Sequence, residues 1–175
     1  SGQGSPDSEA FGKDIEHLYA MSYAVRMMPK QGFTPPGYFE YTVYPLEGVW
    51  SLETEWDGSA PLDKTGLSYT LMIRQPGFVT QEIAQRAMRQ ASVKKPDLRL
   101  DNVEWITEED GPSIQLMHQG PYDDEPRSFG MMDDFASDNG LKRTTRKHRE
   151  IYINDPRKTD PAKLKTVLRY GVASS

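Results

Sequence analysis

Arg146–Val172, RKHREIYINDPRKTDPAKLKTVLRYGV, carries the most informative pattern in the chain. It reads as a strand, HREIYI, a turn broken by Pro156 and Pro161, and a second strand, KTVLRYGV. Side chains alternate along a strand with period two, so Glu150 and Tyr152 share one face and Ile151 and Ile153 the other. A carboxylate two residues from a phenol, opposite an isoleucine pair, has two readings. It is the wet side of a half-buried strand, or it lines a ligand cleft. The second reading expects Glu150 and Tyr152 to face an open cleft, with Ile151 and Ile153 packed under helices.

Working outward, Ser113–His118 reads as another strand, and a helix starts near Asp123-Asp124-Glu125-Pro126. Acidic side chains there suit the positive end of a helix dipole. Phe129, Met132, Phe135 and Ala136 are expected to face inward, and Asn139-Gly140 to cap the end. Glu108–Pro112 reads as the turn of a hairpin between Val103–Thr107 and Ser113–His118. Near the beginning, Ser5-Pro6-Asp7-Ser8 signals a helix start. Phe11, Ile15, Leu18, Ser22 and Val25 follow at helical spacing, and Pro29 ends the run. Tyr41–Trp56 is strand-like, with Pro45 and Gly48 suggesting a kink or bulge. Asp57-Gly58 begins a turn, and Leu67–Arg74 is a strand with Leu67, Tyr69, Leu71 and Ile73 on one face. Thr80–Ala91 reads as a helix with Ile83, Ala87 and Ala91 inside.

This order is an internal repeat. A helix and a strand pair are followed by a strand, a helix and a strand pair. Adding one strand before the first helix makes β-α-β-β twice, although no strand precedes that helix in the opening SGQGSPDSEAF, so the first strand is expected to be missing. The expected fold class is therefore α+β, a single domain over residues 1–175 with one antiparallel sheet. Two long helices should cover one face and leave a concave ligand cleft on the other.

Composition narrows the function. A net charge of −5 argues against a nucleic-acid surface, which needs clustered Lys and Arg. The basic run Lys142–Arg149 reads as a solvated approach loop. The absence of cysteine removes thiol nucleophiles, thiolate metal sites and disulfides. No apolar run approaches a membrane span and no secretory leader is visible, so a soluble, cytoplasmic chain without membrane contact is expected. His17, His118 and His148 fall in three separate elements without metal-ligand spacing, so neither a metal nor a cofactor is expected. Aromatic residues are the second lead: Trp50, Trp56 and Trp105 fall on expected strands, and either pack in the core or stack on a flat ligand.

Four segments carry a resemblance: IEHLYAMSYAVRMM at Ile15–Met28, YPLEGVWSLE at Tyr44–Glu53, MHQGPYDDEPRSF at Met117–Phe129, and the closing HREIYINDPRKTDPAKLKTVLRYGV. In this order they resemble the stand-alone GyrI-like small-molecule-binding proteins. The resemblance implies a duplicated β-α-β-β of the SOUL-like kind with a cleft across its pseudo-twofold. It also implies that Glu150 points into that cleft, where related drug-sensing domains bind cationic ligands. The form HREIYI…DPRK…KLKT resembles the branch that hydrolyses the cyclopropane of spirocyclopropyl-cyclohexadienone DNA alkylators, the yatakemycin and duocarmycin type. That branch implies detoxification or drug resistance. Glu150 would be the general base and Tyr152 the donor to the developing oxyanion. Trp50, Trp105, Tyr44, His118 and Tyr122 are the expected ligand contacts, with a capping role for His118 as the other reading. The expected partner is a hydrophobic aromatic small molecule, bound by a monomer or weak homodimer. The alternative function is a non-catalytic module that binds or sequesters hydrophobic aromatic or cationic molecules.

Overall fold

A computed structural model describes residues 1–52, 66–98 and 100–175. Trp56 and the Asp57-Gly58 turn lie outside the described residues. Among those described, three helices and seven strands follow the order β1 (Gly2–Gln3), α1 (Glu9–Arg26), β2 (Leu46–Leu52), β3 (Leu67–Ile73), α2 (Gln81–Lys94), β4 (Ser113–Gln119), α3 (Glu125–Asp138), β5 (Leu141–Arg143), β6 (His148–Tyr152) and β7 (Lys165–Ser174). The strands form one open antiparallel sheet in the order β1-β3-β2-β6-β7-β4, with β5 on β7, so the fold is α+β. The order β1-β3-β2 is mirrored by β6-β7-β4. The duplicated unit is therefore real, and its two copies meet where β2 pairs with β6.

The first strand is not missing. Gly2 and Gln3 pair with Tyr69 and Ser68 of β3, short as the strand is. A glycine and a glutamine offer no alternating pattern from which a strand can be read. The sheet pairing supplies what the local sequence lacks.

Two compact units can be distinguished. One comprises Asp7–Tyr44 and Met72–Thr107. Here the Ser8 hydroxyl caps α1 by accepting the Phe11 N–H at 3.2 Å, and the Thr80 hydroxyl caps α2 through Ile83 at 3.3 Å. Met21, Val25 and Met28 pack with Ile83, Ala87 and Ala91, and the two alanines let the helices approach closely. The buried stripe of α1 runs through His17 and Met21, leaving Ile15 and Leu18 half-buried. Val103–Thr107 is irregular rather than a strand. Its expected hairpin partner β4 gives its full length to β7, from Ser113↔Gly171 to Gln119↔Lys165.

The other unit comprises Ser1–Pro6, Pro45–Leu71 and Glu108–Ser175, and holds most of the sheet together with α3. Thr166, Leu168, Tyr170 and Val172 of β7 alternate into the interior, and Met132 of α3 packs on the last three. Glu150 pairs with Leu168 and Tyr152 with Thr166. Partners across a sheet point to the same side, so Glu150 and Tyr152 belong to the face that α3 covers. Ile153 is 44% exposed and Ile151 half-buried. The expected parity is thus reversed, because the apolar side of α3 meets Leu168, Tyr170 and Val172 rather than the isoleucines. Glu150, only 8% exposed, therefore does not face an open cleft on the side away from α3. Phe135, expected inside, is 55% exposed, because Met132 and Ala136 already fill the inner stripe of α3.

No helix among the described residues is long and apolar enough to cross a membrane.

Candidate functional site

At the junction of the two repeats, Gly48 of β2 stands opposite Glu150 of β6, and Trp50 stands opposite His148. Their side chains form one hydrogen-bonded row. The Trp50 indole N–H donates to the Tyr152 hydroxyl at 2.8 Å, and that hydroxyl donates to Glu150 Oε2 at 2.7 Å. His148 Nε2 lies 2.8 Å from Glu150 Oε1. Indole can only donate, so the phenol oxygen accepts and commits its own proton to the carboxylate. An ionised Glu150 likewise requires the proton of His148 on Nε2. The ring of Phe129, from α3, packs edge-on against His148 with centroids 4.9 Å apart. Burial, reinforced by the nearby negative charge of Glu150, pushes the Tyr152 pKa well above the usual phenol range. Tyr152 therefore keeps its proton at any ordinary pH.

The start of α3 brings two more groups to this row. The Tyr122 ring lies edge-on to that of Tyr152, with centroids 6.0 Å apart. Burial, then the charges of Glu150 and Glu125, push its hydroxyl up to about 12. Glu125 is buried, and its Oε1 has no hydrogen-bond partner among the described residues. Burial first, then repulsion from Glu150 and Asp123, raises its pKa to about 9. Removing a carboxylate from water disfavours the charged form, and a second negative charge nearby adds to the cost. Glu150, held by two hydrogen-bond partners, thus lies near a second carboxyl group, Glu125, that burial pushes toward its neutral form. Such a pair can accept one proton and deliver another.

His118 stands behind this arrangement. Its Nε2 lies 3.1 Å from the Pro121 carbonyl and its Nδ1 2.9 Å from the Ser128 hydroxyl. A carbonyl only accepts, so Nε2 carries the proton, and in the neutral ring Nδ1 accepts from Ser128. Both nitrogens are engaged and the side chain is buried. This favours the capping reading of His118 over ligand contact. It pins the Gly120-Pro121-Tyr122 turn to α3 and so places Tyr122 and Glu125.

The structure therefore brings together Glu150, Tyr152, Trp50 and Tyr122 among the residues expected from sequence. Trp50 is only 5% exposed, packed against the Tyr69 ring at 5.6 Å, and presents its N–H to Tyr152 rather than a bare stacking face to solvent. Tyr44 and Trp105 belong to the α1–α2 unit. Tyr44 joins an aromatic cluster there through Tyr41, 6.1 Å between centroids, and Trp105 is 39% exposed on the irregular segment. His148, Glu125 and Gly48 were not anticipated. His148 could have been, since it shares parity with Glu150 and Tyr152. Glu125 was hidden because an acidic residue at a helix start already has an electrostatic reason to be there.

The opposite face of β6 is ionic. Arg149 is buried and pairs with Glu47 at 2.9 Å, Glu108 at 3.0 Å and Asp110 at 2.8 Å. Arg169 adds a 2.6 Å pair to Asp110. The basic run is a solvated approach at Lys142 and residues 144–147, which are exposed, but Arg149 is anchored here and the Arg143 guanidinium sits 4.5 Å over the Tyr170 ring. A depression of about 470 Å³ near the sheet edge, lined by Gly2, Val49, Ser51, Tyr69 and Lys147 among others, includes none of the candidate residues.

The chain belongs to the family described as the GyrI-like small molecule binding domain, which it matches over residues 2–170. It is similar to the crystal structure of a hydrolase from Listeria innocua, at 35% identity over 98% of this chain and 84% of that one, with a TM-score of 0.87. An uncharacterized conserved protein from the same organism is 40% identical over the same shares, with a TM-score of 0.89. A second hydrolase from Listeria innocua is 37% identical over those shares, also with a TM-score of 0.89. No curated protein matches the chain significantly.

Proposed function

We propose that the chain acts over residues 1–175 as one small-molecule-binding domain and hydrolase, opening the cyclopropane of spirocyclopropyl-cyclohexadienone alkylators and so protecting the cytoplasm of its cell. One observation carries this reading: an ionisable carboxylate held by two donors lies close to a buried neutral carboxylic acid. The hydrolases among its structural relatives, and the resemblance of HREIYI…DPRK…KLKT to the cyclopropane-opening branch, supply the reaction class.

Glu150 retains lone pairs beyond the two engaged by His148 and Tyr152 and takes a proton from water. The water oxygen bonds to the cyclopropane methylene. The C–C bond to the spiro carbon breaks, and its electron pair passes into the ring, turning the dienone into a phenolate. Glu125 protonates that oxygen, giving a phenol; solvent later returns the proton balance between the two carboxyl groups. The sum is substrate plus one water. Tyr152 is reassigned in this scheme: its proton is committed to Glu150, so it orients the base, and Glu125 serves the developing oxyanion.

Incubation with a cyclopropane alkylator followed by mass spectrometry tests the proposal. A product heavier by one water is expected. Unchanged ligand in a stable complex would instead identify a non-catalytic binder.

A further inference from the structure

We infer that Gly48 is a positioning residue, whose missing side chain lets the Trp50 indole lie back across β2 and hold the Tyr152 hydroxyl. A Cβ on Gly48 would stand 2.7 Å from Trp50 Nε1, 3.4 Å from its Cε2 and 3.1 Å from the Tyr152 hydroxyl. The indole is rigid, buried, and backed by the Tyr69 ring, so it cannot swing aside as a flexible side chain would. Chain geometry gives no other reason for the glycine. The ladder runs unbroken from Glu47↔Ile151 through Gly48↔Glu150 and Val49↔Arg149 to Trp50↔His148, so no bulge interrupts the pairing with β6 at Gly48. Gly48 is not among the residues with positive φ. Glycine inside a regular strand is a cost in conformational entropy. What it provides here is space.

That space sets the polarity of the row. With the Trp50 N–H on its oxygen, the Tyr152 hydroxyl points its proton at Glu150 Oε2. Without that donor the hydroxyl can rotate and leave one carboxylate oxygen unheld. The consequence for rate rests on the role proposed for Glu150; the structural consequence does not.

The experiment is Gly48→Ala in the full chain, read first by the indole N–H resonance of Trp50, which is assigned by its loss in Trp50→Phe. If Gly48 only tolerates a glycine, alanine should leave that resonance in place and stabilise the strand slightly. The inference expects the opposite: the resonance moves and exchanges faster with solvent, and stability falls. Turnover should fall about five- to tenfold, the worth of one hydrogen bond, with KM little changed. In a Trp50→Phe background the closest contact is gone and only the 3.1 Å approach to the Tyr152 hydroxyl remains, so adding Gly48→Ala should cost much less than it does in the wild-type chain. The same double variant should restore folding if Gly48→Ala alone fails to fold. An unmoved indole resonance, or an equal cost of the alanine in both backgrounds, overturns the inference. If the wild-type chain turns over no cyclopropane, the function proposed above fails, while the resonance and the stability cycle still decide the role of Gly48.

Discussion

The two faces of β6 bury charge in opposite ways. On one, Arg149 meets three carboxylates and its charge is neutralised several times over. On the other, Glu150 meets a phenol and an imidazole, and its nearest acidic neighbour, Glu125, is pushed toward the neutral form. The first arrangement commits Arg149 to carboxylates of this chain. It fastens Glu108 and Asp110 to the sheet. The second keeps a carboxylate with unused lone pairs and an acid with an unpartnered oxygen. A buried group left unsatisfied carries a cost that structure alone does not require. The proton exchange with a ligand proposed above would supply the reason.

Removing the charge on each face should separate these roles most strongly. Glu150→Gln keeps the shape but cannot accept a proton, so turnover should fall on the order of 10²–10⁴ while ligand affinity barely moves. Single-turnover mass spectrometry with parallel binding titrations reads both; full activity in this variant would end the proposed mechanism. Arg149→Met should do the reverse. It removes this partner from Glu47 and Glu108 and leaves Asp110 to Arg169 alone, and should cost on the order of 3 kcal/mol of stability in urea unfolding, with near-native turnover in the molecules that remain folded.

Glu125→Gln sharpens the contrast through pH. Glu125 has a folded pKa raised to about 9, so the folded state holds a proton that the unfolded chain loses near the ordinary carboxylate value. Its contribution is fully present below that ordinary value and is lost as pH rises toward 9. Asp110 runs the other way. Burial alone would raise its pKa, but hydrogen bonds from Arg149 and Arg169 outweigh burial and hold it below the usual range. Its contribution is present above the ordinary value and is lost as pH falls through the lowered one. Glu125→Gln should therefore flatten the decline of stability between the ordinary carboxylate value of 4.5 and about 9, leave the limb below that value unchanged, and lower turnover roughly tenfold or more. Thermal melts across the pH range, with rates at each point, check it. Tyr152→Phe should have the smallest effect. It removes two hydrogen bonds but no charge, and should cost about 1–2 kcal/mol of stability and roughly tenfold in rate, measured on the same assays.

Much of this contrast was legible in HREIYI itself. Period-two alternation is a local property of a strand, so His148, Glu150 and Tyr152 had to share one side, and Arg149 and Ile151 the other. The repeat was legible too, because the helix periods and strand lengths recur in order. The capping residues Ser8 and Thr80 act within one turn of chain and were equally open to reading. Val103–Thr107 misled because short runs with some alternation become strands only if a partner is free, and β4 was already taken by β7.

Which set of β6 side chains would meet the helix could not be decided locally, since either parity satisfies the alternation. That choice came from α3 settling on Leu168, Tyr170 and Val172, two elements away in sequence from where the pattern was read. The same holds for the chemistry. The sequence by itself placed a glutamate beside a tyrosine and fixed the strand on which they stand. Only the tertiary structure turned the Tyr152 proton toward Glu150, laid Trp50 across Gly48, and buried Glu125 close enough to remain neutral. Those are effects of distance and solvent exclusion between segments that the linear chain keeps apart.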